Sequence, residues 1–198
     1  MFVQIIRGKA KDAGAMRAAM ERWQSDLKPG ATGYLGSTGG VAADGTFVTL
    51  ARFESPEAAK SNSDRPEQGA WWEQTSKNLT DVTFEETTDV EVSGGGGSDK
   101  AGFVQVMFGQ ATDEAKVRSA NQQFETFMKE RPDLIGGLTC WLGGGRYVDV
   151  AYFVSEAEAR EGERKELSAE AKAVFEDLMS AVGEIEFLDL NEPWINSP

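Results

Sequence analysis

The stretch Phe103-Val104-Gln105-Val106-Met107-Phe108-Gly109 restates Phe2-Val3-Gln4-Ile5-Ile6-Arg7-Gly8 after 101 residues, and the rest of the chain can be read outward from that match. Asp113 repeats Asp12 at the same spacing, and Val117, Phe124 and Met128 repeat Met16, Trp23 and Leu27. Tyr147–Phe153 matches Phe47–Phe53 and Ser155 matches Ser55, each 100 residues on. Val174-Phe175-Glu176 aligns with Trp71-Trp72-Glu73, and Ile185-Glu186-Phe187 with Val82-Thr83-Phe84, both 103 residues on. Self-similarity at a nearly fixed offset means one supersecondary unit used twice.

The unit itself follows from periodicity. Residues 2–8 are apolar on both faces apart from Gln4, the pattern of a strand covered on both sides. Asp12 is an N-cap, and Met16, Met20, Trp23 and Leu27 form one helical stripe that Pro29-Gly30 ends. Residues 33–42 read as a glycine-rich strand, Ala43-Asp44-Gly45 as a turn and Phe47–Phe53 as a firm strand. Ser55-Pro56 opens a helical region that continues to Leu79, and Val82–Glu86 closes the unit. The order β-α-β-β-α-β is that of a ferredoxin-like unit. The predicted fold is therefore α+β: two tandem ferredoxin-like repeats, residues 1–92 and 101–198. They are joined by a linker at 93–100 whose Ser-Gly-Gly-Gly-Gly-Ser run is expected to be exposed and mobile. Because the strands are apolar on both faces, the two sheets are expected to pack on each other as an intramolecular pseudo-dimeric α/β barrel.

Composition narrows the function classes. The 198 residues carry a formal net charge of −13, which disfavours nucleic acid and anionic membrane surfaces as partners. There is no histidine, so histidine-dependent nucleophilic triads and histidine metal sites are excluded. The one cysteine, Cys140, cannot form an intramolecular disulfide and lies in an apolar strand-like run, as expected of a buried thiol in a cytoplasmic protein.

Residues concentrated in one half but not repeated in the other point to chemistry. Asn62-Ser63-Asp64-Arg65-Pro66-Glu67-Gln68-Gly69-Ala70-Trp71-Trp72 has no copy in the second half. One reading is a ligand site using Arg65, Gln68 and Trp71; the other is a rigid helix–helix elbow with Asp64 capping and Arg65 bridging to Glu67. Arg52, flanked by Val48 and Leu50 on one strand face, needs an anionic partner, either a ligand or one of Glu54, Asp64 and Glu67. Thr75 and Ser76 replace Leu178 and Met179 of the second half, which leaves either a pocket or a gap into which an indole swings. Gln4 and Gln105 are inward candidates on the first strands.

The strand ending Ala51-Arg52-Phe53-Glu54-Ser55, the run Asn62–Gln68, the pair Trp71-Trp72 and Val82-Thr83-Phe84 resemble the dimeric α/β-barrel superfamily, within it proteins of the antibiotic-biosynthesis-monooxygenase type. The resemblance implies a cofactor-free, monooxygenase-like enzyme on an aromatic or polyketide-like small molecule. Asn62 would be the amide, Trp72 or Trp71 the stacking surface and Arg52 the anion partner, with Arg65, Gln68, Thr75, Ser76 and Gln4 around the ligand and no cofactor. The alternative is a non-catalytic binding or structural barrel of the same fold. In either case the site is expected in the first half. Because the second repeat occupies the face through which a single-repeat relative would dimerise, the chain is expected to be a monomer or weak oligomer. Light scattering at micromolar concentration should return the mass of one chain; a tight dimer would overturn the expectation.

Overall fold

The computed structural model describes residues 1–97 and 99–197; the side chains of residues 124–126, Phe124 among them, also lie outside the described set. The first repeat runs β1 (Phe2–Ala10), α1 (Ala13–Arg22, continued by a π turn, Trp23–Leu27), β2 (Tyr34–Val41), β3 (Thr46–Phe53), α2 (Pro56–Ser63), α3 (Pro66–Thr75) and β4 (Leu79–Thr87). After β5 (Val90–Ser93), the second follows as β6 (Phe103–Ala111), α4 (Glu114–Gln122), α5 (Phe124–Glu130), β7 (Leu134–Gly143), β8 (Arg146–Phe153), α6 (Glu156–Gly162), α7 (Ala169–Ala181) and β9 (Val182–Leu190), with β10 (Trp194–Asn196) last. Each repeat is a ferredoxin-like unit with an all-antiparallel sheet, in the orders β10-β2-β3-β1-β4 and β5-β7-β8-β6-β9.

The sequence repeat is a repeat of register. Phe2 faces Phe53 and Val3 faces Arg52, as Phe103 faces Phe153 and Val104 faces Tyr152. Val3, Ile5, Val48 and Leu50 are buried, as are Val104, Val106, Val148 and Val150, which accounts for the apolar pattern on both strand faces. The helix starts are set by the expected caps: Asp12 accepts from the Ala15 amide, Ser55 from Ala58, Asp113 from Lys116 and Ser155 from Glu158. Each satisfies an amide that the helix leaves without a partner.

The compact units are not cut where the repeat is cut. One comprises Met1–Thr88 with Glu192–Pro198, the other Asp89–Asn191. β10 pairs with β2 and β5 with β7, so each sheet is completed by a strand from beyond its own repeat. The run expected to be a free spacer is partly structural. Ser93 belongs to β5, Gly96 is buried and donates to the Ser93 carbonyl, and Gly94, Gly95 and Gly96 all hold positive φ, a conformation that favours glycine. Gly94 and Gly95 are exposed; Ser98, the last residue of the run, lies outside the described residues.

In both units an arginine stands over a glycine where two helical segments meet. Arg65, between α2 and α3, lies where a Cβ on Gly30 would come within 2.6 Å of Nη2. It donates to the Leu27 carbonyl, Asn62 Oδ1 and Glu67 Oε1. Arg131, beyond α5, lies against Gly162 and donates to Asp133 and the Ala159 carbonyl. The arginine therefore comes from opposite sides of the joint in the two units, from the α2–α3 elbow in the first and from the turn after α5 in the second. The Arg131–Asp133 pair is buried, with side chains 8% and 6% exposed.

Two substitutions test this account. Trp194 packs its ring 6.2 Å from that of Phe47 and joins the Met16–Phe47–Leu79 cluster, so Trp194→Ala should cost about 2 kcal/mol in urea unfolding. A Cβ on Gly136 would lie 2.0 Å from the Gly96 carbonyl oxygen, backbone against backbone. Gly136→Ala should therefore cost at least about 1–3 kcal/mol; an unchanged midpoint would mean that the glycine turn is not held against β7.

Candidate functional site

A cavity lies between the sheet and the helices in each unit. In the first it measures about 70 Å³. Its sheet wall is Gln4, Ile6, Tyr34, Ser37 and the odd-numbered residues Phe47–Phe53, and its helix wall is Met20, Trp23, Asn62, Gln68, Trp71, Trp72 and Thr75. Strand alternation decides which candidates arrive there. Gln4 lines it and donates to Glu86, its cross-strand partner. Asn62 is buried, accepts from Arg65 and shows its remaining surface to the cavity. Gln68 accepts from Trp23 Nε1 at 2.7 Å, and Trp71 donates Nε1 to the Ala19 carbonyl. Trp72 packs 5.4 Å from Phe84.

Three candidates are elsewhere. Arg52 is on the opposite strand face with Val48 and Leu50, outside the cavity wall, and its buried Nε has no hydrogen-bond partner. Asp64 pairs with Lys60 and Glu67 with Arg65, so neither of the acids expected to neutralise Arg52 from this segment does so. Arg65 is the clamp of the α2–α3 elbow and does not line the cavity, and Asp64 stands at the C-terminal end of α2 instead of capping α3. Ser76 has already left α3 for a 3-10 turn, where its hydroxyl meets the Glu73 carbonyl. The motif is thus an elbow on its Asp64–Glu67 side and a cavity wall on its Asn62, Gln68, Trp71 and Trp72 side. Thr75 lines the cavity, is 1% exposed, and its Oγ1 has no hydrogen-bond partner.

The second unit has the larger cavity, about 330 Å³. The apolar stripe Val174, Phe175, Leu178, Met179 and Val182 is its wall, and Phe175, Met179 and Phe187 remain 43%, 46% and 53% exposed at its edge. Side-chain volume explains the difference. Trp71 and Trp72 fill the space over the first sheet, while the smaller Val174 and Phe175 at the equivalent positions leave it open.

In this mostly apolar, half-open cavity one carboxylate stands out. Asp149 of β8 takes the position equivalent to Thr49 and is half-buried on the cavity wall. Thr139, its cross-strand neighbour, donates Oγ1 to Asp149 Oδ1 at 2.9 Å. Asn121 of α4 donates to Thr139 Oγ1 at 3.3 Å and to Glu91 Oε2 at 2.9 Å, and Glu91 is ion-paired with Arg118. The hydroxyl proton of Thr139 is therefore committed to Asp149. Burial pushes the Asp149 carboxyl up to about 6, against the Thr139 and Val150 hydrogen bonds that favour its charged form, with Glu91 adding repulsion. Tyr147, two residues earlier on the same strand face, also lines the cavity; burial and then Asp149 push its phenol up to about 12. Sequence reading passed over both residues. The available signal was an acid at an inward position of Tyr147-Val148-Asp149-Val150-Ala151, where the first repeat has threonine.

Among the described residues no group of three His, Cys, Asp or Glu side chains is arranged to hold a metal ion. No described helix is long and apolar enough to cross a membrane.

No protein-family model matches the sequence, and no curated protein matches it significantly. Solved structures do match. A "putative monooxygenase" of Lactobacillus acidophilus aligns over 98% of both chains at 12% identity, TM-score 0.71. A "putative monooxygenase" of Fusobacterium nucleatum aligns over 99% of this chain and 94% of its own at 7% identity, TM-score 0.76. An anthrone oxidase-like protein aligns over 99% of this chain and 89% of its own at 12% identity, TM-score 0.64.

The position of Asp149 sets a pH signature. Its folded-state pKa lies above the usual 3.8, so its contribution is fully present below about pH 4 and is lost as pH rises through about 6. Asp149→Asn should flatten that part of the Tm–pH profile and be more stable than the parent at pH 7, by on the order of 2 kcal/mol. Identical profiles would place the carboxylate in water. By fold, the chain is similar to these monooxygenase-like proteins: two tandem ferredoxin-like units, each with a cavity between its sheet and its helices.

Proposed function

We propose that the chain is a cofactor-independent, monooxygenase-like enzyme that acts on an aromatic or polyketide-like small molecule held in the second unit's cavity. The observation that carries this reading is that cavity's size and lining. An apolar cavity of about 150 Å³ is enough for benzene; 330 Å³ suits a fused-ring molecule, whereas 70 Å³ is too small for one benzene ring. Its walls are Phe127, Tyr147, Val174, Phe175, Leu178 and Phe187, with a few polar groups: Gln105, Thr139 and Asp149 on the sheet, Asn121 on α4, and Arg131 and Glu163 beyond α5 and α6. A ligand pocket has this make-up: apolar walls bind, and a few placed polar groups orient. Oxygenation without a cofactor needs a substrate that can itself become an electron-rich anion, held away from water beside groups that stabilise charge. A fused aromatic ketone or phenol is such a substrate, and an anthrone oxidase-like protein shares the fold.

The first unit supports a second, non-catalytic reading. The unpartnered Thr75 hydroxyl, with Asn62 and Gln68 on the same wall, favours a small polar occupant of a few atoms that would satisfy it.

Oxygen uptake with anthrone as substrate tests the main reading. Leu178→Trp, which fills the second cavity, should lower kcat/KM about tenfold or more, while Trp72→Phe in the first unit should leave it within about twofold. The opposite pattern would move the substrate to the first unit; no uptake above buffer would overturn the enzyme.

A further inference from the structure

The second unit's cavity contains a proton acceptor and a proton donor side by side. Asp149 and Tyr147 are separated by one residue on β8, so both side chains stand on the same face of the sheet, and both line the cavity. The first unit has Thr49 and Phe47 there, so the pair is confined to the unit with ligand-sized space. Asp149 is oriented from behind by the chain Asn121 to Thr139 to Asp149. Tyr147 is placed by Gly109, its neighbour on β6, where a Cβ would come within 2.5 Å of the phenol oxygen. Any side chain at Gly109 would displace the ring.

We propose that Asp149 and Tyr147 are the acid–base pair of this cavity: the carboxylate removes a proton from a carbon conjugated with a ketone, and the phenol hydrogen-bonds to the oxygen on which the negative charge collects. The C–H bond breaks and a carboxyl O–H bond forms. The electron pair moves through the conjugated system to the ketone oxygen, giving an enolate or, in a fused ring, a phenolate. Returning the proton restores the ketone, so the step needs no oxidant or reductant. The inference rests on the placement of substrate in this cavity, but not on oxygen as co-reactant.

The two groups suit these roles at neutral pH. A carboxylate that titrates near 6 is mostly ionised yet more basic than one in water, and a phenol near 12 keeps its proton. The charged groups around Asp149 are Glu91 from β5, Arg118 from α4, Arg131 beyond α5 and Glu163 beyond α6. Arg118 pairs with Glu91 and Arg131 with Asp133, and α7 brings Val174, Phe175, Leu178 and Met179, none of which titrates. No cation therefore pairs directly with Asp149 among the described residues, and Thr139 is the side chain that hydrogen-bonds its charged form.

Proton exchange under anaerobic conditions tests the pair. Anthrone is incubated with the full chain in deuterated buffer, and loss of its methylene signal is followed by proton NMR. The wild type should exchange well above buffer, Asp149→Asn should lose at least about 100-fold, and Tyr147→Phe about tenfold or more. Thr139→Val should keep exchange but shift its pH midpoint upward, because the lost hydrogen bond favoured the carboxylate. Wild-type exchange no faster than buffer, or an undiminished Asp149→Asn, overturns the proposal. If Asp149→Asn fails to fold by circular dichroism, an unshifted Thr139→Val midpoint overturns it and a shifted one supports it. Exchange without oxygen uptake in air would keep the acid–base pair and refute the oxygenase. Oxygen uptake that persists in Asp149→Asn would do the reverse.

Discussion

The space between a ferredoxin-like sheet and its helices has to be filled, and most of what distinguishes the two units follows from how each fills it. Interiors are close-packed, so every side chain facing that space either occupies volume or leaves it. In the first unit Trp71 and Trp72 occupy it and are themselves held, Trp71 by the Ala19 carbonyl and Trp72 against Phe84. In the second, valine and phenylalanine stand at the same two positions and a cavity of about 330 Å³ remains. The hydrogen-bonded frame is the same in both. The side chains hung on one helix decide how much of that space each unit leaves open.

The architecture was legible because it rests on signals that are local and used twice. The capping residues Asp12, Ser55, Asp113 and Ser155 each name a helix start, and the matched strands name their own register. The candidate site was half legible. Gln4, Asn62, Gln68, Trp71, Trp72 and Thr75 do meet at one cavity, because strand alternation and helical spacing bring them together. Arg52 does not, and the odd–even alternation of β3 already separated it from Thr49 and Ala51. The paired tryptophans stand where space is filled, and their valine and phenylalanine counterparts where it is open. A side-chain inventory conveys chemistry and says little about volume left over. Asp149 was missed for a related reason: a single acid in a strand looks like a tolerated polar residue until burial around it is known.

The ends of the chain show another limit of pattern reading. A strand edge exposes a row of unpaired amides and carbonyls, and here one edge of each sheet is covered by a short segment that follows the last long strand of the other repeat. β5 and β10 are four and three residues long, too brief for a periodic signal, and a glycine run beside one of them reads as a spacer. Only pairing with a distant strand gives these segments their role.

The arginine that stands over glycine is drawn from opposite sides of the joint in the two units, so the two copies close their helices with different contacts. Tandem repeats are prone to assembling with the wrong copy of themselves while they fold. A contact that differs between copies is the kind of feature by which two similar units in one chain can each close on their own helices.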